Sequence, residues 1–321
     1  CKAMRKKPKI LVIGSANMDM VIGTDHFPVP GETIIGGDFS LIPGGKGANQ
    51  AVAAARLGGD VCFITQLGKD IFGDQNLENF KREGIDTSFI KQNPNQPTGV
   101  ALITVDKSGE NTIIVAPGAN HTLSVAEISS ASNAFQQADI VLVQLEVPVP
   151  IVVEACQKAY GLGKRVILNP APAMDLPESL FRFLYLIVPN ETEAEFLTGV
   201  KVIGEASAYQ AASRLRNKGV QRIIITMGGV GAFLFTDTFQ GIIPTTKVEV
   251  KDTTAAGDSF VGAWLLQVSE GLEQGLSWSA ISTDANKQQQ IIRRAIVAGS
   301  LTCQQFGAFS ALPTKNQWQQ S

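Results

Sequence analysis

The chain of 321 residues is 44% hydrophobic and carries a formal net charge of −2, enough apolar material for one large core and too little positive charge for a nucleic-acid surface. No apolar run approaches the ~18 residues of a spanning helix, and the N-terminus lacks the apolar stretch of an export signal, so neither membrane nor nucleic acid is an expected partner. Cys1, Cys62, Cys156 and Cys303 lie far apart without CxxC spacing, which argues against a zinc site or a disulfide framework and for a reducing cytoplasm.

Residues 1–8, with Lys2, Arg5, Lys6 and Lys7, read as a solvated N-terminal tail, with Met4 the expected native start. Lys9–Gly14 (KILVIG) is a continuous, β-branched apolar run and predicts a buried strand. Asn17-Met18-Asp19 follows it. Two short polar side chains, two apart, would lie at the strand's C-terminal edge, where open α/β sheets bind ligands. They could hold vicinal hydroxyls or cap a turn. Residues 20–42 break into short β-type segments around Pro28, Pro30, Gly31, Gly36 and Gly37.

Gly44-Gly45-Lys46-Gly47-Ala48-Asn49-Gln50 opens an alanine-rich helix over 47–57. Its glycines would let backbone approach a ligand, and the helix N-terminus offers free N–H groups. Asn49 can donate to and accept from hydroxyls. The loop is neither a Walker loop nor a dinucleotide fingerprint, since Gln50 stands where the third glycine belongs. A glycine-rich helix start without a ligand is the alternative.

Further strands are predicted at 60–65, 139–144, 165–169, 185–189 and 222–227. Helices are predicted at 75–83, 150–160, 206–218 and 259–271, several ending at glycine. Such alternation gives a doubly wound, mostly parallel sheet covered on both faces. Residues 98–116 read as a hairpin turning at Asp106-Lys107-Ser108-Gly109. Together with 20–42 they would form a small β-sheet lid projecting from one domain over 9–313, with 314–321 a C-terminal tail.

Glu146, just after the 139–144 strand, could bind a sugar hydroxyl or simply face solvent. Asn190 and Glu193 would share a helix face one turn apart. They could orient a magnesium ion through water or form an Asn cap with an acidic first turn. Met227-Gly228-Gly229-Val230-Gly231 could admit phosphate to its backbone or make a hairpin turn.

Asp252-Thr253-Thr254-Ala255-Ala256-Gly257-Asp258 is the most informative stretch. Its small residues lead into an apolar helix. The N–H groups of Ala255, Ala256, Gly257 and Asp258 would form an anion pocket at the helix's positive end, suited to a transferring phosphoryl group. Asp258 beside that pocket could take the proton of an attacking hydroxyl, or only favour the helix dipole. The histidines, His26 and His121, fall in loops, and no GxSxG occurs, so a Ser-His-Asp hydrolase is poorly supported.

From Lys9 to about Pro313 the chain resembles the ribokinase-type carbohydrate kinases. The resemblance rests on GSANMD (Gly14–Asp19), PVPGET (Pro28–Thr33), PGGKGANQAVAAARLG (Pro43–Gly58), APGAN (Ala116–Asn120), PNETEAEFLTG (Pro189–Gly199), TMGGVGA (Thr226–Ala232) and DTTAAGDSF (Asp252–Phe260). It implies ATP-dependent phosphorylation of a small sugar's primary hydroxyl, D-ribose before deoxyribose, fructose or a nucleoside. A catalytically silent sugar sensor is a further alternative, which the intact Asp258 argues against.

The resemblance assigns Asp258 as base and the amides of 255–258 as anion hole. Asn17, Met18, Asp19, Gly45, Lys46, Gly47, Asn49 and Glu146 would hold the sugar. Asn190, Thr226, Met227, Gly228, Gly229, Val230, Gly231 and Gly257 would line the nucleotide site. Ile296 stands where relatives carry an Asn or His near adenine. Glu193 would help place magnesium through water. A potassium ion would lie among Asp252, Thr254, Thr302, Gln305, Gly307 and Ala311, the last replacing a usual serine. Two subunits would share the lid as a homodimer.

Overall fold

A computed structural model describes residues 7–321, so Lys2, Arg5, Lys6 and the start at Met4 lie outside the described residues. The central sheet has nine strands: β1 (Lys9–Ile13), β4 (Asp60–Gly68), β5 (Ile90–Asn93), β8 (Ile140–Val143), β9 (Arg165–Leu168), β10 (Leu186–Ile187), β11 (Arg222–Thr226), β12 (Gly231–Phe235) and β13 (Gln240–Pro244). Their order is β13-β12-β11-β10-β9-β8-β1-β4-β5. All neighbours pair parallel except β12, which runs antiparallel to both β11 and β13.

The apolar run of β1 is explained by cover on both faces. Ile10 and Val12 join one core cluster with Val52, Phe260, Leu265 and Ile292. Leu11 and Ile13 join the other with Val152, Ala155, Ala211 and Leu215. Alternate side chains of a strand point to opposite faces, so helices Lys46–Arg56, Ala256–Glu273 and Ala285–Cys303 cover one face and Val149–Gly161 and Glu205–Asn217 the other.

A separate four-stranded sheet has the order β3-β2-β6-β7, from β2 (Asn17–Gly23), β3 (Phe39–Gly44), β6 (Gly99–Val105) and β7 (Asn111–Ala116). The hairpin turns at 106–109 as expected, with the Gly109 N–H donating to the Asp106 carbonyl. Two expectations shift. Asn17, Met18 and Asp19 belong to β2 rather than to a turn after β1, and residues 24–38, with their prolines and glycines, contain no strand.

Helix Ile71–Arg82 starts before the expected residue 75 because the Asp70 side chain caps it, accepting from the Gly73 N–H at 2.8 Å. The segment 314–321, expected as a tail, holds helix Lys315–Gln320 instead. Its Trp318 is buried and donates its indole N–H to the Arg294 carbonyl at 2.8 Å. Among the described residues no helix is long and apolar enough to cross a membrane.

Candidate active site

Several of the expected site residues meet where β1, β8, β9, β10 and β11 end, beside the base of the lid. A cavity of about 210 Å³ there is lined by Lys46, Asn169, Asn190, Glu193, Thr226 and Asp258, with Thr253, Ala255 and Gly257. Ligands of open α/β sheets occupy this crevice at the carboxyl ends of the strands.

Asp258 sits in the first turn of helix Ala256–Glu273 and is 7% exposed. Its Oδ2 accepts from Asn49 Nδ2 at 2.9 Å and its Oδ1 from Gln50 Nε2 at 2.8 Å. The helix is entered through Ala255, whose φ of 59° is the one left-handed non-glycine conformation among the described residues. An alanine there stores strain. The turn aims backbone N–H groups into the cavity: those of Ala255, Gly257 and Asp258 have no protein acceptor among the described residues. The Ala256 N–H, expected to join them, instead donates to the Thr253 carbonyl at 3.2 Å. A Cβ on Gly257 would meet nothing within 4 Å, so the space before these amides is open.

The glycines of the 44–47 loop admit other parts of the chain. A Cβ on Gly44 would stand 2.3 Å from the Asp19 carboxylate, on Gly45 2.9 Å from the Asn17 nitrogen, and on Gly47 2.6 Å from the Ser15 nitrogen. Helix Lys46–Arg56 has no side-chain cap of its own. Glu146 caps it from β8's end: its Oε2 accepts from the Lys46 N–H at 2.9 Å and from the Ser15 hydroxyl. Ser15 Oγ in turn accepts from the Gly47 N–H at 3.3 Å. Local pattern gave no hint of Ser15.

On β2, Asn17 and Asp19 face one side and Met18 the other. Met18 is 1% exposed, so its side chain is buried on the other face from Asn17 and Asp19. The Asn17 Oδ1 accepts from Asn120 Nδ2 at 2.7 Å, and Asn120 is tied by both ends to the backbone of Ala16. Burial, then the charges of Glu146 and Asp258, push the Asp19 carboxyl up to about 7. Burial works against the Lys46 ammonium, but Asp258, Glu146 and Glu193 outweigh it and hold its pKa above the usual lysine value. The buried Asn49 Oδ1 has no hydrogen-bond partner among the described residues. The cavity itself carries the Asp258 and Glu193 carboxylates, the Lys46 ammonium and the Asn169 and Asn190 amides, which suits a polyhydroxylated ligand.

Asn190 and Glu193 form a reciprocal capping box on helix Glu191–Thr198, at 2.8 and 2.9 Å. The capping reading of this pair is the one observed, and Glu193 also lines the cavity. Burial raises the Glu193 carboxyl above the usual range, opposed by the Asn190 N–H and Lys46. The 227–231 segment is the β11–β12 turn. Gly231 is required by backbone alone, because a Cβ would stand 2.2 Å from the Ile243 carbonyl. Gly228 and Gly229 leave open space around them. Met227 is 3% exposed and Val230 51%, so only the latter offers a side chain to a ligand.

Ile296, expected against adenine, is 9% exposed and belongs to the core cluster, so it has little surface to offer a purine. The residues expected around a monovalent cation are partly brought together. Asp252 Oδ1 accepts from the Thr254 N–H at 2.8 Å and from its hydroxyl at 2.6 Å, and Oδ2 accepts from the Gly307 N–H at 2.8 Å. The Thr302 hydroxyl is spent on the Ala298 carbonyl and the Thr302 carbonyl accepts from the Gln305 N–H. Ala311 is buried in a short 3-10 turn.

The cavity brings buried carboxylates, an ammonium and open backbone N–H groups together at the strand ends, and comparison with known proteins gives the family. The model of the pfkB family carbohydrate kinases matches residues 7–315. The ribokinase of Haemophilus influenzae is 41% identical over 314 residues, covering 98% of this chain and 97% of its own. A bifunctional ribokinase/ribose-5-phosphate isomerase A of Fructilactobacillus sanfranciscensis is 40% identical over 308 residues, and this chain covers 55% of that longer protein. The solved structure of Arabidopsis thaliana ribokinase complexed with ribose and ATP superposes with a TM-score of 0.85 at 29% identity, over 98% of both chains. The chain belongs to the pfkB family of carbohydrate kinases.

Proposed function

We propose that the protein transfers the γ-phosphate of ATP to the primary 5-hydroxyl of D-ribose, giving ribose 5-phosphate and ADP. The single observation that carries this reading is Asp258, a buried carboxylate held by two amide donors, one residue beyond a glycine whose surroundings are open. The sugar hydroxyl gives its proton to Asp258 as its oxygen attacks the γ-phosphorus. The bond to the bridging oxygen breaks, and ADP leaves. Charge on the transferring group meets the N–H groups of Ala255, Gly257 and Asp258 and the Lys46 ammonium.

Asn17, Asp19, Asn49 and Glu146 would hold the sugar hydroxyls, and Thr226, Gly228 and Gly229 would flank the nucleotide phosphates. Magnesium carried with ATP neutralises phosphate charge. Glu193 is the cavity carboxylate suited to hold it, through water because magnesium keeps most of its hydration shell. A potassium ion is proposed at the Asp252–Gly307 junction, where backbone oxygens of 252–254 and 302–307 would be its ligands. Asp252 would act chiefly as the clip joining the two loops.

The lid supports a homodimer. Across its four strands Leu41, Met20, Leu102 and Ile114 stand in register on one face, opposite the face of Asp19. Leu41 is 42% exposed, Leu102 50% and Ile114 69%, a contiguous apolar row of the kind that marks an interface. A cytoplasmic location accords with the free cysteines Cys62, Cys156 and Cys303. An ADP-release assay over ribose, deoxyribose, fructose and nucleosides tests the acceptor. Highest kcat/KM with ribose is expected, and a clear preference for another acceptor would reject D-ribose.

A further inference from the structure

Gln50 lies behind Asp258, fully buried, and nothing in the proposed reaction uses it. Its amide is bonded at both ends. Nε2 donates to Asp258 Oδ1 at 2.8 Å and to Asn169 Oδ1 at 2.8 Å, while Oε1 accepts from Gln144 Nε2 at 2.6 Å. The two supports are themselves fixed. Asn169 Nδ2 donates to the Val188 carbonyl at 2.8 Å. Gln144 is wholly buried and enclosed against Gly14, where a Cβ would stand 2.0 Å from Gln144 Oε1, an atom without a hydrogen-bond partner among the described residues.

Two strand ends and one helix therefore bond a single amide, which can present only its N–H side to the base. A buried amide bonded at both ends is held in one orientation. A glutamine has no charge state to change with pH, and its N–H holds one oxygen of the carboxylate it touches in a charge-assisted bond.

From this geometry we infer that Gln50 is a positioning residue for Asp258: it fixes the carboxylate's orientation and keeps it ready to accept the substrate proton, without touching substrate. The inference rests on the proposed role of Asp258 as base. Asp258 Oδ2 is served by Asn49, whose place beside the sugar makes its bond liable to exchange with hydroxyls. The Gln50 bond faces the protein interior and persists through the cycle. Lys46, Asp19 and Glu193 are the other charged groups around this carboxylate.

The test is Gln50→Met, which keeps length and volume and removes both polar ends, compared with Asp258→Asn and the parent protein. Loss of a hydrogen bond to a charged group predicts kcat lower by about ten- to a hundredfold, with KM for ribose within about threefold and the acid limb of the kcat profile moved to higher pH. Gln50→Glu, of the same shape but able to become an anion beside Asp258, should move that limb further. A packing role alone would lower the melting temperature and leave the acid limb in place, and that outcome overturns the proposal. Should Gln50→Met fail to fold, the acid limb of Gln50→Glu decides by the same criterion. Near-normal turnover by Asp258→Asn would instead remove the base itself. An inactive Asp258→Asn beside an unaltered Gln50→Met would remove only the role of Gln50.

Discussion

Gly262 and Ala53 touch where two helices cross: a Cβ on Gly262 would stand 2.5 Å from the Ala53 Cβ and 2.8 Å from the Ala54 nitrogen. One turn earlier on both helices, Asp258 meets Asn49 and Gln50. Residues four apart share a helix face, so the close crossing and the held carboxylate are two turns of one contact.

Gly262→Ala tests that coupling. Overpacking a tight core contact costs about 1–3 kcal/mol, and prising the helices apart lengthens both bonds to Asp258. Chemical denaturation should show the stability loss, and turnover should fall further than KM rises. Lower stability with unaltered turnover would uncouple the crossing from the site.

The pH dependence follows from Asp19, whose carboxyl is pushed from 3.8 up to about 7 by burial, Glu146 and Asp258. Between those values the folded protein holds a proton that the unfolded chain releases. The contribution of Asp19 to stability is therefore full below 3.8 and is lost as pH rises to about 7. A sugar hydroxyl donating to Asp19 favours its ionised form, so ribose binding near pH 6 should expel a proton. Affinity should rise towards pH 7 and level off above it. Calorimetry in two buffers of different ionisation enthalpy measures the proton directly, and Asp19→Asn should bind with none released. Equal heats in the two buffers for the parent protein would contradict this.

Much of this was legible in the sequence. The unbroken apolar run of Lys9–Gly14 announced a strand buried on both faces, and Asp106–Gly109 announced a hairpin turn. The small residues before Asp258 announced a backbone pocket at a helix start. Contacts between distant segments were not legible. Gln50 lies 208 residues from Asp258, and Glu146 caps a helix that begins 100 residues earlier; no local pattern encodes either. Helix Ala285–Cys303 escaped because Gln288-Gln289-Gln290 and Arg293-Arg294 interrupt its apolar face of Ile291, Ile292, Ala295 and Ile296. The helix at Lys315–Gln320 did carry a signal, the Thr314-to-Gln317 capping box before Trp318.

Charge on the outer lid face should break the proposed dimer. Ile114→Glu, at a site 69% exposed in the single chain, introduces two symmetry-related anions into an apolar interface, where unpaired charges are strongly unfavourable. Sedimentation should give a dimer for the parent and a monomer for the variant at micromolar concentration. A monomeric parent would remove the lid from the assembly account.

Asp252→Ala should release the Gly307 loop and unfix the turn that aims the amides of Ala255 and Gly257. Potassium in place of lithium or tris should raise the parent's activity severalfold, and the variant should lose that response. Equal parent rates in buffer stripped of potassium would dismiss the ion.

The central claim is that Asp258 takes the proton of a ribose hydroxyl as phosphate is transferred to it. The most direct measurement is ADP release from ATP and D-ribose by the parent and by Asp258→Asn, with the position of the product phosphate read by phosphorus NMR. Ribose-dependent release of ADP and a phosphate on the 5-oxygen are predicted for the parent. For a folded variant that still binds ribose, turnover should be lower by about 10²–10⁴-fold. A parent that releases no ADP with ribose, or a variant turning over near the parent rate, would contradict the account.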